Sequence, residues 1–223
     1  MKIVRPGDSI REIVELKKRI PSVISFVGAG GKTTLIYRLS EELKAGGLKT
    51  IVTTTTKMYR PEKDYIEWTG TECAEILREY LDKTGSVTVG QRLPGSESGF
   101  KKADKIGGVP QEVYERLREL ADVLLVEADG AKRKLVKVPA EHEPVIFPGT
   151  ELVIGVLGMG SVGRSIKEAA HRPKDVAAFL NTDVGHLLTR EDLEVIANSP
   201  YGLKKKVDCD FIAVGNQYEQ DIL

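Results

Sequence analysis

The 223-residue chain carries 33 basic and 33 acidic side chains, and 41% of it is hydrophobic against 30% charged. That length and composition suit one α/β domain with a substantial core, and the balanced charge gives no signature of a nucleic-acid or acidic-membrane partner, so neither is expected. Cys73 and Cys209 lie far apart without C-x-x-C spacing, no apolar run approaches a bilayer-spanning length, and Met1–Ile20 is too charged and interrupted for a signal peptide; a disulfide framework and a zinc site are not indicated, and a reduced, cytoplasmic setting is expected.

Residues 8–20 read as a helix, with Asp8 or Ser9 as cap and Ile10, Ile13, Val14 and Leu16 as its apolar stripe. Ser22–Val27 is a short apolar run, predicted as a buried strand. It ends in Gly28-Ala29-Gly30-Gly31-Lys32-Thr33-Thr34, after which Leu35, Ile36, Leu39 and Leu43 recur at helical spacing. Strand, glycine-rich turn and a helix opening on Lys-Thr form the layout of a phosphate-binding loop. Glycines let backbone amides turn toward a phosphate, and the helix start adds unpaired donors and partial positive charge. Lys32 would reach the β- and γ-phosphates of a nucleoside triphosphate, and the Thr33 hydroxyl would bind magnesium. The full G-x-x-x-x-G-K-[ST] pattern needs glycine at position 26, where this chain has Phe26. The shorter loop is similar to the G-x-x-G-K-T loops of Mur-type ligases. The signature lysine of MinD-like ATPases would fall at Val27.

Gly46-Gly47 stops that helix, and Lys49–Thr54 is the second strand of a βαβ unit. Its carboxyl end runs into Thr53-Thr54-Thr55-Thr56-Lys57, where ligands of open parallel sheets bind, so Thr54, Thr55 and Lys57 are candidate contacts. A helix at 71–83, a strand at 86–90 and a helix at 111–120 follow. The Gly-, Ser- and Lys-rich stretch 91–110 between them is expected to be a loop or hairpin insertion over the site.

Asp122–Glu127 is an apolar strand ending in Glu127 and Asp129, the position of the acid that holds magnesium opposite the loop threonine. Either carboxylate could hold the metal while the other orients the attacking group. Ala131-Lys132-Arg133-Lys134 emerges from the same sheet edge and could meet an anionic substrate. Between Glu141 and Glu143, His142 would have its charged form favoured, which suits proton transfer or phosphate contact.

Glu151–Leu157 is another strand, followed by Gly158-Met159-Gly160-Ser161-Val162-Gly163, which matches G-x-G-x-x-G. No ribose-binding acid ends a strand about twenty residues on, so NAD is not expected, and the run reads as a flexible loop at the sheet edge. Helices at 174–180 and 189–197 and a strand at 209–214 complete a doubly wound, mostly parallel sheet of the P-loop NTPase type, with helices on both faces.

Five motifs in order, Val27–Thr34, Thr53–Met58, Glu127–Lys132, Val138–Ile146 and His171-Arg172-Pro173, resemble the YqeC family of accessory proteins for selenium-dependent molybdenum hydroxylases. The likeness runs from about residue 20 to about 220. It implies a P-loop protein binding ATP or GTP with magnesium, partnered by a molybdenum hydroxylase or its cofactor-maturation proteins. It favours a functional Arg172. It also points to Asn216 as a base contact, although the family's Asn-[Lys/Gln]-x-Asp is Asn216-Gln217-Tyr218-Glu219 in this chain. Three activities stay open: an ATPase or GTPase with Lys32, Asp129, Lys132 and His142 in its machinery, a kinase or Mur-like ligase acting on a small anionic cofactor precursor, and a non-catalytic nucleotide-sensing chaperone.

Overall fold

The computed structural model describes residues 1–15, 19–93 and 105–216. In chain order, β1 (Lys2–Val4) and α1 (Arg11–Val14) precede β2 (Val23–Gly28), the glycine loop and α2 (Lys32–Ala45). Next come β3 (Thr50–Thr54), β4 (Lys57–Tyr59), β5 (Tyr65–Glu67), α3 (Cys73–Thr84), β6 (Ser86–Arg92) and β7 (Lys105–Gly107). The second half holds α4 (Gln111–Leu120), β8 (Val123–Glu127), β9 (Val136–Lys137), β10 (Leu152–Gly158) and α5 (Ile166–Ala169). It closes with β11 (Ala170–His171), α6 (Pro173–Phe179), α7 (Arg190–Asn198) and β12 (Asp210–Asn216).

Ten strands form one sheet in the order β1-β12-β10-β2-β8-β3-β6-β7-β4, with β5 also on β6. Pairing from β1 through β6 is parallel, and only β7 reverses, running antiparallel to both β6 and β4. β9 and β11 make a separate parallel pair. Every residue of β2, β3, β8 and β10 is buried, as a parallel sheet covered on both faces requires. Alternate residues part to opposite sides: Ile24, Phe26, Val52 and Leu125 pack with Leu35, Ile36 and Leu39 of α2. Val23, Ile51, Leu124 and Val126 pack instead with Leu77 and Leu81 of α3 and Leu117 of α4. Leu193, Ile196 and Ala197 of α7 cover Leu157 and Ala213 further along that side. The result is a mixed α/β fold built on a large, mostly parallel sheet flanked by helices.

The first helix is shorter than its periodicity predicts. Arg11–Val14 is helical and Glu15 is already extended; 16–18 lie outside the described residues. What holds the segment is tertiary: the Glu42 carboxylate on α2 accepts from the Ser9 hydroxyl at 2.9 Å and the Arg11 amide at 2.8 Å. Of the 91–110 stretch, 94–104 lie outside the described residues, while its ends pair antiparallel, Gln91 with Gly107 and Arg92 with Ile106. The 158–163 glycine run follows the carboxyl end of β10, so it does lie at that edge of the sheet, but it is not a loose loop. It forms a tight turn in which buried Ser161 donates its hydroxyl to the Gly158 carbonyl at 2.7 Å. No helix among the described residues is long and apolar enough to cross a membrane.

The topology decides where a ligand can sit. β2 lies between β10 and β8, the chain leaves it toward β3 on one side, and the connection from β8 to β10 crosses to the other. Outside the carboxyl ends of strands at such a reversal is where open parallel sheets leave a crevice.

Leu77 is fully buried on α3, whereas its neighbour Ile76 is 54% exposed. Leu77→Ala should therefore lower unfolding stability by about 2–5 kcal/mol, with a change within about 0.5 kcal/mol for Ile76→Ala, read by urea titration.

Candidate functional site

A cavity of ≈ 640 Å³ opens beyond those carboxyl ends. The glycine loop and α2 start supply Gly30, Gly31, Lys32, Thr33 and Thr34; the segment after β3 supplies Thr56 and Lys57; the end of β8 and its following turn supply Glu127 and residues from Gly130 to Leu135. His142, Glu143, Gly158, Gly160, His171, Arg172 and Asn216 complete the walls. Residues that are far apart in sequence, Lys32, Lys57, Glu127, Lys132, His142, Arg172 and Asn216, are thus gathered in one place. Gly28, Ala29, Thr54, Thr55 and Asp129, all expected to contact ligand or metal, stand behind these walls.

The glycine loop is wedged against β10. Gly28 and Gly30 have φ of +94 and +80, and a Cβ on either would collide with backbone, that of Val156 for Gly28 and that of Gly158 for Gly30. Three loop amides already have acceptors: Gly28 donates to Asp129 Oδ2 at 3.0 Å, Ala29 to Val156 O at 2.8 Å and Gly30 to Lys134 O at 2.9 Å. The expectation that Gly28 and Ala29 cradle a phosphate is corrected accordingly: their amides fasten the loop to the sheet. The first helical hydrogen bond of α2 runs from the Leu35 amide to Gly31 O, 3.1 Å. That leaves the amides of Lys32, Thr33 and Thr34 as the unpaired donors of a helix start.

Side chains meet at the base of this loop. The Thr33 hydroxyl donates to Glu127 Oε2 at 2.7 Å, joining the start of α2 to the end of β8. Lys32, buried, donates from Nζ to Gly28 O at 2.6 Å and forms an ion pair with Asp129 Oδ1 at 3.0 Å, without hydrogen-bond alignment at that oxygen. Burial alone would lower the Lys32 pKa, but the charges of Asp129 and Glu127 outweigh it and hold the ammonium above its ordinary value. For Glu127 burial wins over the attraction of Lys32, and its pKa is raised.

Asp129 is fully buried and is also 3.2 Å from Lys137 Nζ. Its carboxylate is boxed in by Lys32, Lys137 and the Gly28 amide, and in this arrangement it anchors the loop. Lys137, fully buried on β9, donates to Gly130 O and Glu143 Oε2, both at 2.8 Å. Glu143 in turn accepts both guanidinium nitrogens of Arg172, at 2.8 and 3.1 Å. Burial opposes the charge of Glu143, but hydrogen bonds from Arg172 and Lys137 prevail and hold its carboxyl far below the ordinary range. Burial, then the charges of Arg172 and Lys137, lower the pKa of neighbouring His171.

The threonine run has a structural share. Thr54 donates to Glu127 O at 2.7 Å and accepts, through its carbonyl, from the Tyr114 hydroxyl. Thr55 donates to Val145 O. These two side chains lace β3 to its surroundings, while Thr56 and Lys57 beyond them reach the cavity. Asn216 lines the cavity, but its side-chain amide donates to Gly30 O at 2.8 Å, so it braces the glycine loop instead of standing free for a base; 217–223 lie outside the described residues. Gly158 belongs to the same brace, since its backbone abuts Gly30. Sequence reasoning missed Tyr59 and Lys105, whose strands are too short to show a period. It also passed over Lys137 and Glu143 as parts of a charged run, whose alternation gives no hint of burial.

Chemically, the site offers a cation, a helix start with open amides, and a hydroxyl–carboxylate pair at a strand end. A family model described as YqeC protein matches residues 24–174. The chain is 32% identical over 209 residues, 92% of its length and 78% of the relative's, to a protein of Escherichia coli (strain K12) described as uncharacterized protein YqeC. No solved structure matches. The chain belongs to the YqeC family.

The Glu143 ion pairs predict an acid limb. A carboxyl held below its ordinary pKa contributes stability above about 4.5 and loses it as the pH falls through and below that value. Glu143→Gln should accordingly unfold at lower urea concentration than wild type at neutral pH, with the gap narrowing steadily below pH 4.5.

Proposed function

We propose that this protein binds a nucleoside triphosphate with magnesium and hydrolyses it, ATP or GTP, as a cytoplasmic accessory factor in the maturation of a selenium-dependent molybdenum hydroxylase. The observation that carries nucleotide binding is the Thr33–Glu127 contact, 2.7 Å, beside Lys32 at the start of α2 and at the mouth of a strand-end cavity. The hydroxylase pathway rests on the family resemblance.

Thr33 and Glu127 present two hard oxygen donors side by side. Among the described residues no group of three or more His, Cys, Asp or Glu side chains could hold a metal. A site of one hydroxyl and one carboxylate suits magnesium, which keeps waters and substrate phosphates in its shell. Bound there, magnesium would neutralise charge on the phosphate oxygens. The chain's own part is positional. The open amides of Lys32, Thr33 and Thr34 face the phosphates, and Lys32 exchanges its contact with Gly28 O for a phosphate oxygen while Asp129 keeps it charged. Lys137 keeps the Asp129 carboxylate compensated during that exchange. His142, Lys57 and Lys132 line the same cavity, where the attacking group would be oriented. A phosphotransferase or ligase is the second possibility, favoured by the further cations that line the cavity.

Calorimetric titration with ATP, GTP and CTP, with and without magnesium, tests this. Magnesium-dependent binding of a triphosphate by wild type should weaken by about tenfold to a hundredfold in Lys32→Ala, the worth of a charged hydrogen bond. Absence of binding, or binding indifferent to Lys32, would refute it. Because burial raises the Glu127 pKa, its ionised form costs the fold stability at neutral pH. Glu127→Gln should unfold at higher urea concentration than wild type at pH 7 while losing the magnesium dependence of nucleotide binding.

A further inference from the structure

The cavity also holds a cluster of cations around Tyr59, beyond what Lys32, Thr33 and Glu127 supply. Tyr59, at the end of β4, lines the cavity and is 39% exposed. The Arg133 guanidinium carbon lies 4.6 Å from its ring centroid, and Lys105 Nζ lies 5.0 Å from the same point. Two elements bring them there. Lys105 opens β7 directly across from Tyr59 in the antiparallel register. Arg133 sits in the turn after β8, closed by the Lys134 amide on Ala131 O at 2.9 Å. Lys132 and Arg133 both adopt left-handed backbone, φ of +47 and +60, which for side-chain-bearing residues costs on the order of 1 kcal/mol each. Lys57, at the start of β4, lines the same cavity.

None of these four cations is in contact with a carboxylate among the described residues, although the charge of Lys105 is felt by Glu127, whereas other charges of the cavity are directly paired. Lys32 pairs with Asp129, Arg172 with Glu143, and Glu127 accepts from Thr33. A cation–π contact at an exposed ring is worth about 0.5–1 kcal/mol, enough to order Arg133 and Lys105 but not to neutralise them. Like charges gathered on one concave wall raise the local concentration of anions. The chain's overall charge is balanced, so the excess is local to this cavity.

We propose that Lys105 and Arg133, ordered over Tyr59, together with Lys57 and Lys132 of the same cavity, form a second oxyanion subsite that takes the phosphate or carboxylate group of a small second substrate. The subsite rests on the nucleotide proposal for its role beside a triphosphate, but its own binding does not require one. Titration of the full chain with inorganic phosphate and, separately, with malonate tests it, on wild type, on Lys32→Ala and on the double variant Lys57→Gln/Arg133→Gln. Wild type and Lys32→Ala should bind at least one anion alike, and the double variant at least about tenfold more weakly, equivalent to about 1.4 kcal/mol. Phosphate binding alone would identify a phosphorylated substrate, and malonate binding a carboxylate. The double variant should remain folded, its urea midpoint lowered by no more than the loss of the Arg133–Tyr59 contact, since Lys57 and Arg133 are exposed. Anion binding that vanishes with Lys32 and ignores Arg133, or no anion binding by wild type, would overturn the subsite. Loss of nucleotide binding with anion binding intact would instead count only against the triphosphate.

Discussion

The glycine loop depends on one buried carboxylate. Asp129 has no exposure to solvent, and a carboxylate in that setting is sustained only by charges and donors fixed around it. Lys32, Lys137 and the Gly28 amide supply them, and each comes from a different segment: the helix start, the strand that follows the basic turn, and the loop itself. The chain of partners continues through Glu143 to Arg172. With Glu127 included, three carboxylates face three cations, so the interior of the site is electrically closed before any ligand arrives. Removing Asp129 or Lys137 would strand a buried partner in low dielectric, which is why their contacts are better understood as a unit than as separate salt bridges.

This closure has a geometric counterpart in the sheet. Parallel strands put all their carboxyl ends on one edge, and the reversal at β2 spreads the connecting segments apart there. The crevice that results is lined by the segments that follow β2, β3, β8 and β10, by Asn216 of β12 and by residues next to the β9–β11 pair. The fold thus collects short stretches, few of which would mark a site alone, and surrounds them with a buried framework that keeps their side chains in place.

Much of that framework was legible from residue pattern. Continuous apolar runs such as Val23–Val27 and Val123–Val126 announced buried parallel strands, and the Lys32-Thr33 helix start and the Glu127 strand end do meet. The helix expected over 189–197 is present as well, opened by a capping box of Thr189 and Asp192. What escaped was decided by long-range contact. Nothing local distinguishes Asp129, which turns inward to two lysines, from Glu127, which stays beside the cavity. Lys137 reads as one cation in a solvated run, yet it is among the largest fully buried side chains because β9 runs beneath the surface turn. β1 and β4 are three residues each, too short for a period of two to emerge. The first helix was overcalled since an apolar stripe fits equally a single turn docked on α2.

The abutment of Gly30 on Gly158 bears on how relatives of this chain are to be compared. A side chain at position 30 would have to be met by retreat of the Gly158 turn, whereas one at position 158 would press first on Leu135 and then on Gly30 Cα at 3.1 Å. Position 30 is therefore tied to the turn at 158 more tightly than 158 is tied to it. Glycine persisting at position 158 across relatives would be accounted for by this steric contact, without appeal to dinucleotide binding.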